Sequence, residues 1–323
     1  MKQLQQILDS ARQVAGQAEV FRVSAQETPV QFEANRLKQV QTKESSSVSL
    51  RIIKEGRLGF SAASGSLFAA GSEKGGKGGV ESLVEMAVET SRLANPVRFQ
   101  FPSPGNYPGV IVFDPQIEKV TMEEMVELGS QLIARVREHT PGILCDARLT
   151  RGTSSVRMIN SQGGEASYQK SFFAVGLEGV IIQGTDMLFV GDSEASCSLP
   201  DNRERVAERV IKQLEMAKGR ASVSSKSLPV IFTPPGVASA FAGPLALAFN
   251  GKMALEGTSP LKDKLGKKVF DSGLSLWDDA LQDYRLGSSP CDDEGVPSQR
   301  LPLITKGTAS AFFYDLQTAA LAG

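Results

Sequence analysis

Imidazole is the scarcest catalytic group in this chain, which has 323 residues and one histidine, His139. Protein zinc sites typically draw on two or three histidines, and Ser-His or Cys-His catalysis needs at least one well-placed ring. Most hydrolytic mechanisms would have to pass through this one residue, and its position argues against that. It falls in the last turn of a helix predicted to begin at Thr121, where the helix dipole favours an imidazolium without any catalytic duty. Cys145 follows at no recognised ligand or nucleophile–base spacing. The paired carboxylates Glu123-Glu124 and Asp278-Asp279 read as solvated faces and caps.

Two other stretches carry residues with chemical potential. Gly71, Gly76 and Lys77 fit the phosphate-cradling pattern G-x-x-x-x-G-K, and VIVFD (110–114) imitates an apolar strand ending in a magnesium-binding aspartate. Against nucleotide binding, the next position is Gly78, which lacks the hydroxyl that ligates magnesium. Ser61 to Ala70 is too rich in small residues for a buried parallel strand, and a P-loop needs a parallel βαβ unit. The expectation is a Gly/Lys loop. The second stretch, CDDEGVPSQR (291–300), runs Asp292, Asp293 and Glu294 directly into Gly295, with Pro297 and Gln299 following. A solvated turn is one reading. Clustered carboxylates could also bind a cation through oxygen, or orient a peptide's amides or a basic side chain.

The elements that would position these groups follow from periodicity. Leu4, Ile7, Leu8, Ala11, Val14 and Ala15 predict an opening helix over 3–15. Short alternating pieces from Glu19 to Leu37, broken at Pro29, suit strands. Val48, Leu50, Ile52 and Leu58, Phe60, Ala62 flank Glu55-Gly56 as a hairpin. A glycine-rich loop (71–79) leads to a helix over Val80–Ala94, and FQFPSPGNYPG (99–109) marks a boundary. A strand at Val110–Phe113 precedes a helix opened by a capping box, Thr121 with Glu124, and a staple, Val120 with Met125. Strands at 155–160, 165–173, 174–182 and 187–196 have connections too short for parallel crossovers, which predicts an antiparallel meander. Asp201 with Glu204 is expected to cap a helix whose face is Val206, Val210, Ile211, Leu214 and Ala217. After a linker (221–227) come a strand, Leu228–Thr233, a small-residue segment, Pro234 to Gly257, and a polar, glycine-spaced stretch before Ala309–Leu321. The chain stops at Gly323 directly after an apolar run, so a continuation is expected. The fold class is α+β, antiparallel sheets flanked by helices in three blocks: 1–100, 110–220 and 225–323.

Composition sets outer limits. Lys plus Arg is 35 and Asp plus Glu 36, a net charge of −1. That lacks the basic excess with which proteins neutralise nucleic-acid phosphates. No apolar run approaches a membrane span or the core of a secretion signal. Three dispersed cysteines, Cys145, Cys197 and Cys291, predict free thiols and a cytoplasmic setting.

CDDEGVPSQR, with Leu303, Ile304, Gly307, Tyr314, Asp315 and Ala319-Ala320 after it, resembles the C-terminal signature of the TldD/PmbA proteins, once called modulators of DNA gyrase. AEVFRVSAQET…FEANRLKQVQTKESSSVSLRIIKEGRLGFSAAS is similar to that family's opening domain, and the likeness runs along essentially the whole chain. The resemblance implies roughly a hundred further residues in family members. TldD-type members carry H-E-x-x-x-H on a helix of the third domain, two histidines for zinc and a glutamate to activate water. Here the matching stretch reads GVASAFAGPLALAFNG, and the alignment sets Ala242, Gly243 and Leu247 where His, Glu and His would stand. None can ligate zinc or move a proton, and Gly243 with Pro244 weakens the helix itself. The sequence therefore resembles the PmbA/TldE branch, also through KDKLGKKVFDSGLSLWDDA (262–280).

That likeness implies a non-catalytic subunit, without a cofactor of its own, of a cytoplasmic zinc metallopeptidase complex. The zinc would belong to a TldD-type partner, the substrates would be unfolded peptides, and paired chains (homo- or heterodimer) would enclose a chamber. Neither nucleic acid nor membrane is an expected partner. Asp292, Asp293, Glu294 and Gly295 are the candidate substrate-binding residues. Two alternatives stay open: a stand-alone peptidase with a non-histidine metal site at Asp292, Asp293 and Glu294, and a regulatory binding module related to gyrase or toxin–antitoxin partners.

Overall fold

The computed structural model describes residues 2–65, 77–219 and 221–323. Its centre is one antiparallel sheet built from β1 (Gln17–Glu33), β2 (Arg36–Val40), β3 (Lys43–Lys54), β4 (Arg57–Ser64), β5 (Leu144–Asn160), β6 (Glu165–Gln183) and β7 (Asp186–Ser196). The spatial order is β4-β3-β1-β5-β6-β7, with β2 paired to the far end of β1. The β3–β4 hairpin turns on Glu55 (φ 53°) and Gly56 (φ 74°), the two left-handed residues that a tight turn between twisted strands requires. Antiparallel pairing of β1 with β5, from Glu19↔Asn160 to Phe32↔Ala147, joins the first and second stretches of the chain in a single sheet.

Alternation puts apolar side chains on one face, and helices cover both ends of it. At the first end, α1 (Lys2–Arg12) and α2 (Lys77–Leu93) bury Leu4, Ile7, Leu8, Leu83 and Ala87 against Val20, Val48, Leu50 and Ile52. At the other, α3 (Gln116–Lys119), α4 (Met122–His139) and α5 (Arg205–Ala217) pack Met125, Leu132, Val136, Val210 and Leu214 on Val30, Phe32, Leu149 and Phe173. The capping box opens α4 as expected: Glu124 N–H donates to Thr121 Oγ1 (3.1 Å) and Thr121 N–H to Glu124 Oε2 (2.8 Å).

Several expectations are corrected. Pro29 does not break β1, which runs through it as part of a 17-residue strand. Gln41 N–H donates to Pro29 O, so Pro29's nitrogen points to the same side, where β3 stops pairing at Glu27 and β2 starts at Val30. The missing N–H falls in that gap and costs no ladder bond. Residues 165–182 are one strand rather than two. Val110–Phe113 joins no ladder and is held by Ser171 N–H donating to Val112 O and Tyr284 N–H to Ile111 O. Asp201 does not cap α5: the helix starts after Glu204, which makes no side-chain cap, while Asn202 Oδ1 accepts from Glu204 N–H. The opening helix ends at Arg12, three residues early. Gly71 and Gly76 lie outside the described residues.

The last block forms a smaller layer. After Thr233, whose hydroxyl accepts from Gly236 N–H, a broken helix runs through α6 (Pro234–Val237), a π-turn (Ala238–Ala242) and α7 (Gly243–Ala248), then α8 (Gly251–Leu255). A three-stranded antiparallel sheet of β8 (Leu276–Asp279), β9 (Arg300–Thr305) and β10 (Thr308–Ala309) follows, then α9 (Leu316–Ala322). Phe249, Leu303, Ile304 and Phe312 are its core. The expected strand Leu228–Thr233 does not form. Residues 228–232 have no backbone hydrogen bond to any described residue, and Val230 and Ile231 are 70% and 94% exposed. Among the described residues no helix is long and apolar enough to cross a membrane.

Candidate functional site

The three positions that the family resemblance sets against a metal motif lie on the broken helix. Ala242 closes the π-turn, Gly243 opens α7 beside Pro244, and Leu247 is 62% exposed. Pro244 stands just after the π-turn, in the first turn of α7. From Leu228 to Gly251 the chain contains no His, Cys or charged residue. Among the described residues no three His, Cys, Asp or Glu side chains converge to hold an ion.

His139 is committed elsewhere. It ends α4, with Nδ1 hydrogen-bonded to Thr140 Oγ1 (2.8 Å) and Nε2 to Glu215 of α5, so it pins two helices together. The thiols are equally inert. Burial pushes Cys145 and Cys291 up to about 11 and raises Cys197, away from the thiolate range in which cysteine is nucleophilic.

The acidic turn is a docking element. It packs on the face of the large sheet opposite the helices, where Cys291 joins Met158 and Ala166, with Phe21, Tyr107 and Tyr168 around them. Asp292 Oδ1 accepts from Glu294 N–H and Val296 N–H (2.9 Å each), which closes the turn. Gly295 has φ +76°, and a Cβ there would stand 2.7 Å from Met158 Sδ; its carbonyl accepts from Tyr107 Oη (3.3 Å). Asp293 is exposed.

Glu294 is fully engaged. Its Oε1 accepts from Arg51 Nη1 (2.9 Å), and its Oε2 from Leu316 N–H (2.7 Å) at the start of α9. Arg51 in turn donates through Nε to Glu19 Oε1 (2.8 Å), and its guanidinium lies 5.3 Å from the Phe101 ring centre. Glu19 is 2% exposed, and among the described residues its Oε2 has no hydrogen-bond partner. Burial pushes its carboxyl up to about 7 despite Arg51, with Glu294 and Asp292 adding repulsion. The group is thus a Glu19–Arg51–Glu294 chain, buried at Glu19 and half-buried at Arg51 and Glu294, that links β1, β3, the acidic turn and α9. Of the four expected substrate residues, Asp292 and Glu294 spend their carboxylates on the protein itself. The acidic turn lies against the large sheet and the degenerate helix against the small one. No hydrogen bond or ion pair between described residues joins them.

Sequence reasoning missed Glu19 and Arg51. Both sit on strands amid ordinary alternation, and their partner Glu294 is 243 residues from Arg51. Only a charged residue facing inward on each strand would have signalled them, and inward facing is invisible before the register is known.

Comparisons with known proteins agree with this architecture. The PmbA/TldA metallopeptidase domain 1 matches residues 18–91, and the PmbA/TldA metallopeptidase C-terminal domain matches residues 225–323, together more than half of the chain. An uncharacterized protein of Methanocaldococcus jannaschii is 22% identical over 320 residues, covering 98% of this chain and 71% of the relative. A Haemophilus influenzae protein named metalloprotease PmbA homolog is 27% identical over 161 residues, 47% of this chain and 34% of its own. The crystal structure of TldE from Thermococcus kodakarensis shares the fold, with TM-score 0.88 at 23% identity over 99% of this chain and 71% of that one.

Proposed function

Because the chain belongs to the PmbA/TldD metallopeptidase family, we propose that it is the PmbA/TldE-type partner subunit of a cytoplasmic TldD-type zinc peptidase. It would hold unfolded polypeptide while the partner, in a homodimer or heterodimer pair around a shared chamber, supplies zinc and cleaves. The observation that carries this reading is the chemistry of 228–251: a helix presented after Thr233, with neither a metal ligand nor a general base along it. A zinc-bound water needs ligands to hold the ion and a base to take its proton, and Ala242, Gly243 and Leu247 supply neither. The exposed, unpaired backbone of 228–232, next to Phe232 and Phe241 in edge-on contact (5.0 Å between centroids), suits the addition of an extended peptide. Strand addition grips any extended sequence through main-chain hydrogen bonds.

Peptidase assays of an unstructured peptide test the reading. With zinc supplied, this chain alone is expected to cleave nothing, whereas adding it in equal amount to a TldD-type metallopeptidase raises the rate. Cleavage by the chain alone, or a partner rate indifferent to it, would overturn the proposal.

A further inference from the structure

At the outer end of the β6–β7 hairpin the large sheet is apolar on both faces. Register places Leu144, Val180 and Phe189 in one row across β5, β6 and β7, with Ile182 and Met187 as the next pair. All five lie on the face that carries Met158 and Ala166, away from the helices. Leu144 and Ile182 are exposed there, and Met187 and Phe189 are 60% and 72% exposed. On the helix side Ile181, Leu188 and Val190 already pack in the core under α4 and α5. A sheet with one face in water alternates apolar with polar residues, so the core does not account for the outer row.

The backbone at the same place forms an edge of the sheet. Gly191 N–H and C=O both bond to the Gln213 side chain rather than to β6. Main-chain groups point alternately to the two sides of a strand, and β7 pairs with β6 without a bulge. The N–H and C=O of Phe189 and Met187 therefore also point away from β6, and no hydrogen bond among the described residues takes them up. Helix α5 runs antiparallel along this edge. Arg205 reaches Glu194 (3.3 Å), Arg209 reaches Asp192 (2.9 Å), and Gln213 caps Gly191. One turn on, the same stripe presents Met216, 72% exposed, at the level of Phe189. Polar side chains guard the edge up to Gly191, and an apolar one stands where it is left unpaired. Gly65, bonded to Ser46 O, and Lys77, at the start of α2, belong to the opposite, β4 side of the sheet.

We infer that this edge docks a second copy of the same chain, β7 against β7, about a two-fold axis at Leu188. In that register Met187 faces Phe189 of the partner subunit, and Phe189 faces the partner's Met187. Each facing pair exchanges two main-chain hydrogen bonds. Pairing ends at Gly191, whose groups Gln213 already holds. A two-fold contact needs a surface that complements itself. The axis sets the two α5 helices end to end, Met216 near its counterpart, and continues the apolar row of one sheet into the other. The nearest charges on α5 and β7 are paired within each copy, Arg205 with Glu194 and Arg209 with Asp192. The exposed parts of Leu144, Ile182, Met187, Phe189 and Met216 amount to roughly 600 Å² of apolar surface a copy, against about 800 Å² a side in a standard interface. An added peptide strand would cover the edge alone and leave most of that surface wet. The contact is independent of the subunit role proposed above, since neither zinc nor substrate enters it.

Sedimentation equilibrium of the 323-residue chain alone, over a range of concentrations, tests this. A concentration-dependent dimer is expected. Phe189→Lys and Met216→Lys should each raise its dissociation constant roughly tenfold or more. Both side chains are exposed, so the dilute variants should melt with the dilute parent. Leu93→Lys, at an exposed position at the end of α2, should leave association unchanged. Hydrogen exchange reads the strand pairing directly: the Met187 and Phe189 amides should be protected in the dimer and released on dilution. A monomer at every concentration, or a dimer indifferent to both lysine variants, would overturn the inference. So would amides that exchange equally fast in dimer and monomer, or a monomer in which Phe189→Lys instead abolishes binding of an unstructured peptide or of a TldD-type peptidase. Because peptide cleavage is not the readout, failure here leaves the subunit role standing, and failed activation of the peptidase leaves this contact standing.

Discussion

Glu19 shows how one side chain can make a fold sensitive to pH. The unfolded chain releases this proton near the ordinary 4.5, and the folded chain keeps it to about 7. Between those values the folded state binds more protons than the unfolded one, so rising pH lowers stability. The stabilisation is fully present below 4.5 and lost above about 7, with an upper bound of about 3 kcal/mol. Glu19→Gln, which stays neutral throughout, should match the parent near pH 5 and exceed it near pH 8. Thermal melts of both proteins across that interval check the prediction. A constant difference would mean that Glu19 is ionised in the fold throughout. Arg51 stands half-buried between two acids, of which Glu19 carries its negative charge only at higher pH.

At the scale of elements, close approaches decide which residues are replaceable. A Cβ on Gly59 would lie 2.0 Å from Ala87 O, so β4 and α2 are in backbone contact there. A backbone oxygen cannot rotate away as a side chain can. Gly59→Ala must therefore separate strand from helix, at a cost of about 2–3 kcal/mol or more. Gly287→Ala, which meets nothing within 4 Å, should be nearly neutral. Urea unfolding midpoints distinguish the two, and equal midpoints would contradict the packing. Strand β7, at the sheet's edge, is guarded by a single amide: Gly191 N–H donates to Gln213 Oε1 (3.0 Å) and Gln213 Nε2 donates to Gly191 O (2.8 Å). The α5 side chain thus stands in for a neighbouring strand, one of the ways proteins blunt an open edge.

For the whole molecule, the acidic turn and α9 fasten the C-terminal layer to the large sheet. Leu316 and Ala320 of α9 pack with Ile53, Phe99 and Phe101, and Glu294 supplies the polar half of the joint. Glu294→Ala would leave Arg51 with Glu19 alone and Leu316 N–H unpaired, a loss of about 2 kcal/mol. Hydrogen exchange should then quicken at 291–297 and 316–322 and stay unchanged in the β5–β6 ladder. Uniform acceleration everywhere would show that the layers unfold as one unit. The turn that reads in sequence as a candidate ligand site thus has a structural task as well, because two of its three carboxylates, Asp292 and Glu294, find partners within the same chain.

Local order was legible wherever neighbours in sequence suffice to create it. The Thr121–Glu124 box, the Glu55-Gly56 hairpin and the meander of β5 to β7 all rest on residues a few positions apart. The family resemblance likewise needed only strings of residues, and matches at 18–91 and 225–323 agree with it. Tertiary structure alone decided that β1 pairs with β5, that Pro29 falls in a gap between partner strands, and that 228–232 stays outside every sheet. It alone brought Glu19 to Arg51 and Glu294. The reason is that strand register and burial depend on contacts between distant segments, and a charge reveals its role only once the groups around it are fixed in space.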